Sequence, residues 1–226
     1  MKKRGDYYIY GDGRQFKNLS LRKAFEKIKK GNQWIVHPEQ DSISGPGSTL
    51  KQTREIVAEL PGILDSFQIG GFLDIPCGDF NWISRVDWSC RQYIGADIVE
   101  DLILKNIKRY QNEFITFKTL DLTCDPLPRV DLIFCRDCLV HLSFKDIKKA
   151  IINIKRSGAS YLMATTFPAE DFNEDIISGG WRPLNMLLPP FEFPEPVQIL
   201  NEHCTEAHGL FADKSLGLWD ITTLPD

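Results

Sequence analysis

From residue 70 onward, short apolar segments of the sequence alternate with stretches whose apolar residues have helical spacing. The apolar segments have the length of buried strands and cover residues 71–75, 93–96, 114–120, 130–135 and 159–166. Between them, Leu102 to Tyr110 and Ser143 to Gly158 predict helices, and Ser143 with Asp146 predicts a capping box. This alternation predicts an α/β fold, with a parallel sheet and helices on both faces.

Two further amphipathic helices are predicted ahead of the sheet. The first covers roughly residues 20–30, with Gly31 as its stop. Ser48 is expected to be the N-cap of the second helix, and Pro61-Gly62 are expected to end it, because proline lacks the N–H that a helix needs.

The pattern changes after the last apolar segment of this series. Residues 167–196 are rich in proline and aromatic residues and are interpreted as a long insertion. Val197 to His203 and Leu216 to Ile221 then predict two strands with no helix between them, hence an antiparallel hairpin at the sheet edge. The whole chain is interpreted as a single domain of residues 1–226, comprising an N-terminal helical cap (1–69), a core (70–166), the insertion (167–196) and the closing hairpin (197–226).

Composition narrows the classes of protein that fit. The 226 residues, 42% hydrophobic and 26% charged, suit an ordinary globular domain. With 27 Lys and Arg against 31 Asp and Glu, the net charge of −4 gives no basic field, so nucleic acid is not an expected partner. No apolar run is long enough to cross a bilayer, and Met1 to Tyr7 do not lead into a signal peptide. The six scattered cysteines predict reduced thiols in a cytoplasmic protein.

Candidate chemistry lies where the predicted strands end. In an open parallel sheet, ligands bind beyond the carboxyl ends of the strands. Acids stand at or beside four successive ends, at Asp74, Asp97, Asp121 and Asp137. Asp97 comes 19 residues after Gly78, the place of a carboxylate that accepts from both hydroxyls of a ribose. Asp121, between two leucines, is a candidate acceptor for an adenine amino group.

The turn after the first of these strands distinguishes between cofactors. It contains a single glycine, Gly78, and a second acid, Asp79, whereas a dinucleotide site uses the pattern G-x-G-x-x-G to face a pyrophosphate. Carboxylates beside the turn repel a pyrophosphate, but they suit a ligand that carries an ammonium and a sulfonium group. S-adenosylmethionine (SAM) therefore fits better than NAD, and an NAD-dependent reductase stays as an alternative.

Several stretches of the sequence carry a resemblance to a known family. They are Leu73 to Trp82 (LDIPCGDFNW), Gly45 to Ser48 (GPGS), Arg136 to Leu142 (RDCLVHL), Trp181 to Asn185 (WRPLN) and Asp213 to Trp219 (DKSLGLW). Residues 70–166 resemble the SAM-binding core of class I methyltransferases, and the stretches above are similar to a little-characterised subgroup in which some members methylate sugars of surface glycans. Pro76-Cys77 depart from the family's usual glycines.

The resemblance implies a fold, a cofactor and roles for individual residues. The fold is a Rossmann-like, doubly wound, mostly parallel sheet with a C-terminal antiparallel hairpin and an N-terminal helical extension. Asp74 and Gly78 would lie against the methionine part of SAM, with Ser48 and Thr53 closing over the cofactor. The expected cofactor-binding residues are Asp74, Pro76, Cys77, Gly78, Asp79, Asp97, Ile98, Asp121, Leu122, Arg136, Ser48 and Thr53.

Asp137 and His141 are the expected catalytic residues, facing the transferred methyl group. A sugar hydroxyl is a poor nucleophile while it keeps its proton, so it benefits from a general base, and histidine has its ordinary pKa nearest neutrality. Asp137 lies four residues earlier and is able either to orient the imidazole or to take the proton itself. A purely structural histidine in a polar loop is the competing interpretation.

The insertion is expected to supply the acceptor site. Trp181, Arg182 and Asn185 offer the aromatic and hydrogen-bonding surface that suits a sugar. The stretch Leu188-Pro189-Pro190-Phe191 is similar to a loop of amino methyltransferases but lacks its leading Asp or Asn, and is interpreted as a wall of the acceptor pocket. Phe191 and Phe193 are expected to pack the insertion onto the sheet.

No resident metal is expected. Cys135, Cys138 and His141 lie close in sequence, but no second cysteine pair has the spacing of a zinc site. A divalent cation held by Asp137 and His141 fits the chemistry, and nothing in the sequence requires it.

The function hypotheses are a SAM-dependent O-methyltransferase for a glycan, a methyltransferase for an amine or another small molecule, and a non-catalytic SAM-binding module. A glycan or small-molecule acceptor is thus the expected partner.

Overall fold

A seven-stranded sheet runs through the computed structural model, which describes residues 11–225. The prediction made on Met1 to Tyr7 lies outside the described residues. The strands are β1 (Gly71–Asp74), β2 (Gln92–Asp97), β3 (Ile115–Thr119), β4 (Leu132–Cys135), β5 (Tyr161–Thr166), β6 (Gln198–Asn201) and β7 (Ser215–Asp220). The helices are α1 (Leu21–Lys30), α2 (Leu50–Ser66), α3 (Glu100–Tyr110) and α4 (Phe144–Arg156). The strand order is β3-β2-β1-β4-β5-β7-β6.

Side chains that alternate along the strands belong to two separate hydrophobic clusters. Leu73 and Ile133 belong to the cluster that contains the apolar side of α4, while Phe72 and Phe134 belong to the cluster that contains α2 and part of α3. Because successive residues of a strand point to opposite faces, helices cover both faces of the sheet. The predicted doubly wound architecture is confirmed.

The C-terminal strands close the sheet as the sequence predicts. β7 runs antiparallel to β5, with Tyr161 opposite Asp220, and also antiparallel to β6, with Gln198 opposite Leu218. Strands β1 to β5 pair in parallel. Residues 167–197 contain no helix or strand.

The start and the end of α2 differ from the prediction. Thr49, not Ser48, is its N-cap, since Ser48 belongs to a short 3-10 turn. The side chain of Thr49 does not cap the helix, but the carboxylate of Asp41 accepts from the N–H of Leu50 at 3.2 Å. Pro61 does not end the helix, which continues to Ser66. A proline inside a helix costs about 3 kcal/mol. Burying a large apolar side chain contributes about 1.5–3 kcal/mol, and the last turns bury Ile63 and Leu64. The free energy gained by burying these two side chains therefore offsets the cost of the proline, and the helix continues past Pro61.

The predicted capping box of α4 is half formed. Ser143 Oγ accepts from the N–H of Asp146 at 3.2 Å. The carboxylate of Asp146, however, accepts from the hydroxyl of Ser178 at 2.7 Å, and the N–H of Ser143 donates to that same hydroxyl at 2.9 Å. The helix start is therefore tied to the insertion.

The strand order reverses between β1 and β4, which lie side by side while the chain continues outward from each in opposite directions. The carboxyl ends of two such strands leave a crevice in which ligands bind. β1 ends at Asp74 and β4 ends just before Arg136 and Asp137. Among residues 11–225, no helix has both the length and the apolar character to span a bilayer.

Candidate functional site

A cavity of about 960 Å³ opens at this crevice. This volume includes space that is open to solvent. Of the expected cofactor-binding residues, all but Thr53 line it: Asp74, Pro76, Cys77, Gly78, Asp79, Asp97, Ile98, Asp121, Leu122, Arg136 and Ser48. Thr53 is fully buried, and its hydroxyl donates to the carbonyl of Thr49 within α2 at 2.9 Å. Its predicted contact with a cofactor is therefore corrected to a role inside the helix.

Asp74 is a buried carboxyl at the floor of the cavity. The hydroxyl of Tyr93 donates to its Oδ2 at 2.5 Å. Burial raises the pKa of Asp74 to about 7, because the hydrogen bond from Tyr93 only partly offsets the loss of water. A cation bound beside Asp74 would stabilise its ionised form.

Asp97 ends β2 on the neighbouring wall. Its carboxylate accepts from the N–H of Val99 at 2.9 Å and from the N–H of Gly78 at 3.2 Å. Burial raises the pKa of Asp97 to about 6 in spite of these donors. The contact with Gly78 joins the turn after β1 to the end of β2. Asp74 and Asp97, which end these two strands, therefore belong to one connected wall of the cavity.

The turn at Gly78 is closed by the N-terminal segment. Gly78 has φ 53°, and a Cβ on it would lie 2.3 Å from Ser44 Oγ. Ser44 Oγ accepts from the N–H of Asp79 at 2.9 Å. The carboxylate of Asp79 in turn accepts from Ser42 Oγ at 3.0 Å and from the N–H of Ile43 at 2.8 Å. A side chain at residue 78 would collide with Ser44, so glycine is needed at this position, and the carboxylate of Asp79 anchors residues 42–44. The sequence assigned Gly78 and Asp79 to the ligand, and both residues also line the cavity.

Asp121 and Leu122 also line the cavity, together with Leu120. Asp121 Oδ1 accepts from the N–H of Thr123 at 2.8 Å and from its hydroxyl at 2.6 Å. These bonds fix the turn after β3 and hold a carboxylate between apolar side chains, an arrangement that fits a flat heterocycle with an amino group.

The N-terminal part of the chain, predicted as a helical cap, covers the cavity with apolar residues that the sequence analysis did not single out. Leu21, Phe25 and Trp34 line the cavity, and the ring centroids of Phe25 and Trp34 are 6.1 Å apart. Trp34 also reaches His141, at 5.8 Å between centroids. The apolar side of α1 was visible in the sequence, but nothing there indicated that it faces the ends of the strands.

A second cavity, of about 650 Å³, adjoins the first. The residues that line both are Trp34, Ser44, Ser48, Asp137 and His141. The two expected catalytic residues therefore stand on the wall between the cavities. Trp181 lines the second cavity, as expected for an acceptor-binding residue, together with Phe167, Glu206, Phe211 and Lys214.

Asp137 is held as an anion. Its backbone has φ 50°, in the left-handed region. Lys214 Nζ lies 2.6 Å and Arg136 Nη1 lies 3.3 Å from its Oδ2. Burial alone would raise the pKa of Asp137, but the charges of Lys214 and Arg136 outweigh it and lower the pKa to about 2. A carboxylate this acidic is a weak proton acceptor.

His141 is held as a neutral imidazole. Its Nδ1 lies 2.8 Å from the carbonyl oxygen of Gly180, which only accepts, so Nδ1 carries the proton and Nε2 carries the lone pair. Burial lowers the pKa of His141 to about 4, although the nearby charge of Asp137 acts in the opposite direction. The imidazole is therefore unprotonated at neutral pH.

Behind Asp137 lies a buried ion-pair network that the sequence did not reveal. Arg136 donates to Glu202 Oε2 at 2.7 Å and to Oε1 at 3.1 Å, and it also donates to the carbonyl of Gly47. Lys214 Nζ lies 3.4 Å from Glu202 Oε2. Arg136, predicted to bind the cofactor, thus lines the cavity while its guanidinium is engaged by Glu202. The stretch 213–219 was the only signal for Lys214.

Two predicted acceptor-binding residues are structural. Arg182 is 1% exposed and donates to the carbonyls of Leu139 and Leu142, at 2.9 and 2.7 Å. The amide of Asn185 donates to the carbonyls of Pro168 and Glu170. Neither residue lines the first or the second cavity. Both instead satisfy backbone groups of a segment without secondary structure.

Of the other predictions for the insertion, one is confirmed and one is corrected. Phe191 packs on Phe144 and Phe193 on Trp219, with both phenylalanines buried, which confirms their predicted packing role. The Leu188–Phe191 stretch forms no part of the second cavity, so its assignment as an acceptor-pocket wall is corrected.

All six cysteines carry free thiols. Within the part of the chain that the structure describes, no group of three or more His, Cys, Asp or Glu side chains is arranged to hold a metal ion.

Solved structures of other proteins have a fold similar to that of this chain. No protein-family model matches the chain, and no curated protein does. The N-methyltransferase NodS from Bradyrhizobium japonicum WM9 has a similar structure, with a TM-score of 0.56 and 17% identity over 78% of this chain and 98% of NodS. The PH0226 protein from Pyrococcus horikoshii OT3 gives 0.54 and 15%, over 83% of this chain and 97% of that one.

The methyltransferase domain of bacterial CtHen1-CN is a third similar structure. It gives a TM-score of 0.53 and 15% identity, over 76% of this chain and all 100% of that domain. At these identities the likeness concerns architecture alone. The chain therefore has the Rossmann-like fold of class I methyltransferases.

Proposed function

We propose that the chain is a SAM-dependent methyltransferase that transfers a methyl group to a hydroxyl, in the first place a sugar hydroxyl of a glycan. The observation that carries the proposal is the wall shared by the two cavities, on which Asp137 and His141 stand. Methyl transfer requires the donor and the acceptor to bind next to each other, with the attacking oxygen in line with the S–CH₃ bond. Two adjoining cavities that share a basic side chain meet that requirement.

The chemistry of the first cavity fits SAM. Asp74 and Asp97 are buried carboxyls whose pKa values burial raises to about 7 and about 6. An ammonium group near Asp74 and two ribose hydroxyls near Asp97 would stabilise both anions. Leu120 and Leu122 flank Asp121 at the end suited to adenine. A pyrophosphate in the same place would face three carboxylates, of Asp74, Asp79 and Asp97.

The chain's own residues would bind, orient and exclude water. SAM, when bound, supplies an electrophilic methyl group on a sulfonium. Phe25 and Trp34 cover the cavity, and Ser44 holds the Gly78 turn closed beneath them. Removing water from the reacting groups strengthens each electrostatic contact in the site.

His141 is the base in this proposal. Its Nε2 carries the lone pair that takes the hydroxyl proton, because Nδ1 donates to the carbonyl of Gly180. Asp137 stays ionised beside it and stabilises the imidazolium that forms. The two candidates that the sequence left open thus receive different tasks, with proton transfer assigned to His141 and charge stabilisation to Asp137.

The second cavity favours a sugar over an amine as acceptor. Trp181 and Phe211 provide apolar faces, while Ser48 and Glu206 provide hydrogen-bonding groups. The ammonium of Lys214 in the same wall is a donor for a hydroxyl oxygen, whereas a protonated amine has no lone pair to accept from it. An amine acceptor and a non-catalytic SAM-binding module are the competing functions.

Calorimetric titration with SAM, S-adenosylhomocysteine and NAD tests the cofactor. We expect both SAM and its demethylated product to bind, and binding of NAD alone would overturn the proposal. Transfer of labelled methyl from SAM to a panel of glycans then tests the activity, with amines as the comparison. His141→Gln should keep SAM affinity and lose turnover. Unchanged turnover would refute the assigned base, and transfer only to amines would replace the hydroxyl acceptor.

A further inference from the structure

Three charged side chains converge on the bare face of Gly47, in the wall of the second cavity. A Cβ built on Gly47 would lie 3.2 Å from Asp137 Oδ2, 3.2 Å from Glu206 Oε2 and 3.3 Å from Lys214 Nζ. The carbonyl of Gly47 accepts from Arg136 at 2.8 Å, which fixes the turn. The polar ends therefore border one small space that the absence of a side chain at residue 47 leaves open.

Glu206 differs from its charged neighbours in how it is paired. Asp137 and Glu202 are both within 4.0 Å of Lys214, and Glu202 also pairs with Arg136. Among residues 11–225, no salt bridge reaches Glu206, and its hydrogen bond comes from the weakly donating thiol of Cys204 at 3.6 Å. Burial raises the pKa of Glu206, although the charge of Lys214 lowers it. This carboxyl lines the cavity with acceptor capacity to spare.

Lys214 has donor capacity on the same side. An ammonium has three N–H donors, and its contacts with Asp137 and Glu202 use two of them. Acceptor and donor groups thus face one space across Gly47. Neighbouring hydroxyls on a ring both donate and accept, so a pair of them matches this combination.

An aromatic wall completes the surface. Trp181 and Phe211 pack edge to face with centroids 5.1 Å apart, and both line the second cavity. Trp34 lines it as well, next to His141. A ring with apolar faces and polar edges fits between aromatic side chains and charged groups.

We infer that Glu206 and Lys214, facing each other across Gly47, form a hydroxyl-recognition subsite that selects a neutral polyhydroxylated ring as the acceptor. Glu206 accepts from one hydroxyl, and Lys214 donates to its neighbour. A protonated amine accepts no hydrogen bond from Lys214, and an anion would be repelled by Asp137 and Glu206. This inference rests on the proposed function and adds the residues that choose the acceptor.

Gly47→Ala is the sharpest test, because it places one methyl group in the subsite and changes no charge. Its backbone is outside the left-handed region, so alanine adds no backbone strain there, and the new methyl group meets only the ends of flexible side chains. Gly62→Ala is the matched control, since a Cβ at residue 62 of α2 has no atom within 4 Å. Glu206→Gln removes the charge and keeps the shape.

Methyl α-glucoside, methyl α-galactoside and methyl α-mannoside are the probes, with cyclohexanol and cyclohexylamine as rings of similar size. Ligand-observed NMR in the presence of S-adenosylhomocysteine measures their binding. We expect at least one glycoside to bind better than both comparison rings. Gly47→Ala and Glu206→Gln should weaken that glycoside about tenfold or more, as expected for lost hydrogen bonds to charged groups, with S-adenosylhomocysteine affinity unchanged.

The outcomes separate this inference from the proposed function. If S-adenosylhomocysteine binds but no glycoside does, or if Gly47→Ala binds glycosides as well as Gly62→Ala does, the subsite is refuted and methyl transfer stands. Equal binding of cyclohexanol and the glycosides would also refute it. Failure of S-adenosylhomocysteine itself to bind would instead overturn the proposed function, on which the subsite depends.

Discussion

Lys214 Nζ lies 2.6 Å from Asp137 Oδ2, and this ion pair joins the C-terminal hairpin to the end of β4 at the wall between the two cavities. Arg136 Nη1 lies 3.3 Å from the same oxygen. The side chain of Lys214 is 6% exposed and that of Asp137 is 23% exposed. Both charges are thus removed from most of the surrounding water, and each depends on the other.

Replacing Asp137 by Asn should destabilise the protein, because it leaves the buried ammonium of Lys214 without its closest partner. Breaking a buried pair from one side costs about 3–5 kcal/mol. Urea unfolding measures the loss. Asp101→Asn is the control, since Asp101 pairs with Lys29 at the surface, and we expect it to cost about 1 kcal/mol or less.

A double variant tests whether the unpaired charge of Lys214 causes this loss of stability. Asp137→Asn combined with Lys214→Met removes both members of the pair and leaves Arg136 paired with Glu202. Stability should recover in part relative to Asp137→Asn alone. If Asp137→Asn is no more harmful than Asp101→Asn, the ion pair is not what holds this wall.

The neutral state of His141 predicts a pH dependence of stability. The pKa of His141 falls from 6.5 to about 4 in the folded protein, chiefly through burial. Between those values the unfolded chain takes up the proton and the folded one does not, so stability falls as pH decreases from about 6.5 to 4, by up to about 1.4 kcal/mol for each unit.

His141→Gln isolates this contribution, because the variant lacks the titrating group while other groups still titrate. Urea unfolding between pH 7 and pH 5 should show a steeper loss for the unsubstituted protein than for the variant. In a transfer assay, the base form of His141 should support activity down to a limb near its pKa of about 4. Parallel stability curves would contradict the assigned neutral state.

Cofactor binding should release protons. Free Asp74 and Asp97 have pKa values raised by burial to about 7 and about 6, so both are partly protonated at pH 6.5. A ligand with an ammonium group and donating hydroxyls favours the ionised forms, so the protons leave on binding. Affinity for SAM should therefore weaken as pH falls from 8 to 5.5.

Calorimetry at pH 6.5 in phosphate and in imidazole measures this linkage, because the two buffers differ in their heat of protonation. The difference in binding heat should correspond to net proton release. Asp74→Asn should remove most of it, whereas Asp131→Asn, at the opposite ends of the strands, should not. Proton uptake on binding would contradict the predicted charge match.

Parts of this site follow from the sequence because local rules govern them. Parallel strands end at one edge of the sheet, so Asp74, Asp97, Asp121 and Asp137 had to lie near one another once the alternation was recognised. The helix spacing likewise located α3 and α4. The turn at Gly78 was recognised for the same reason, although its partner was not.

What sequence reasoning missed depends on contacts between distant segments. Ser44 reaches Gly78 and Lys214 reaches Asp137, and no periodicity encodes such pairs. Arg182 offered the same guanidinium whether it faced a ligand or backbone carbonyls, so only the fold could show that it binds the carbonyls. A polar side chain in an irregular segment often satisfies that segment's own backbone.

The approach of Ser44 to Gly78 gives the last prediction. Gly78→Ala adds a Cβ in a left-handed backbone, at 2.3 Å from Ser44 Oγ and 2.9 Å from Ser44 Cβ. The backbone strain alone costs about 1–2 kcal/mol. Gly158→Ala measures that part by itself, since Gly158 also has a positive φ, 75°, but no atom within 4 Å of a Cβ.

Gly78→Ala should therefore lose more stability than Gly158→Ala, and it alone should weaken SAM binding, because it separates residues 42–44 from the cofactor cavity. Adding Ser44→Gly removes the atoms that clash, so the double variant should regain stability while still lacking the hydrogen bond from Asp79 to Ser44. Urea unfolding and SAM titration of all variants provide the test. Equal losses for the two alanine variants, with SAM affinity retained in both, would mean that the N-terminal segment does not depend on this contact to close the site.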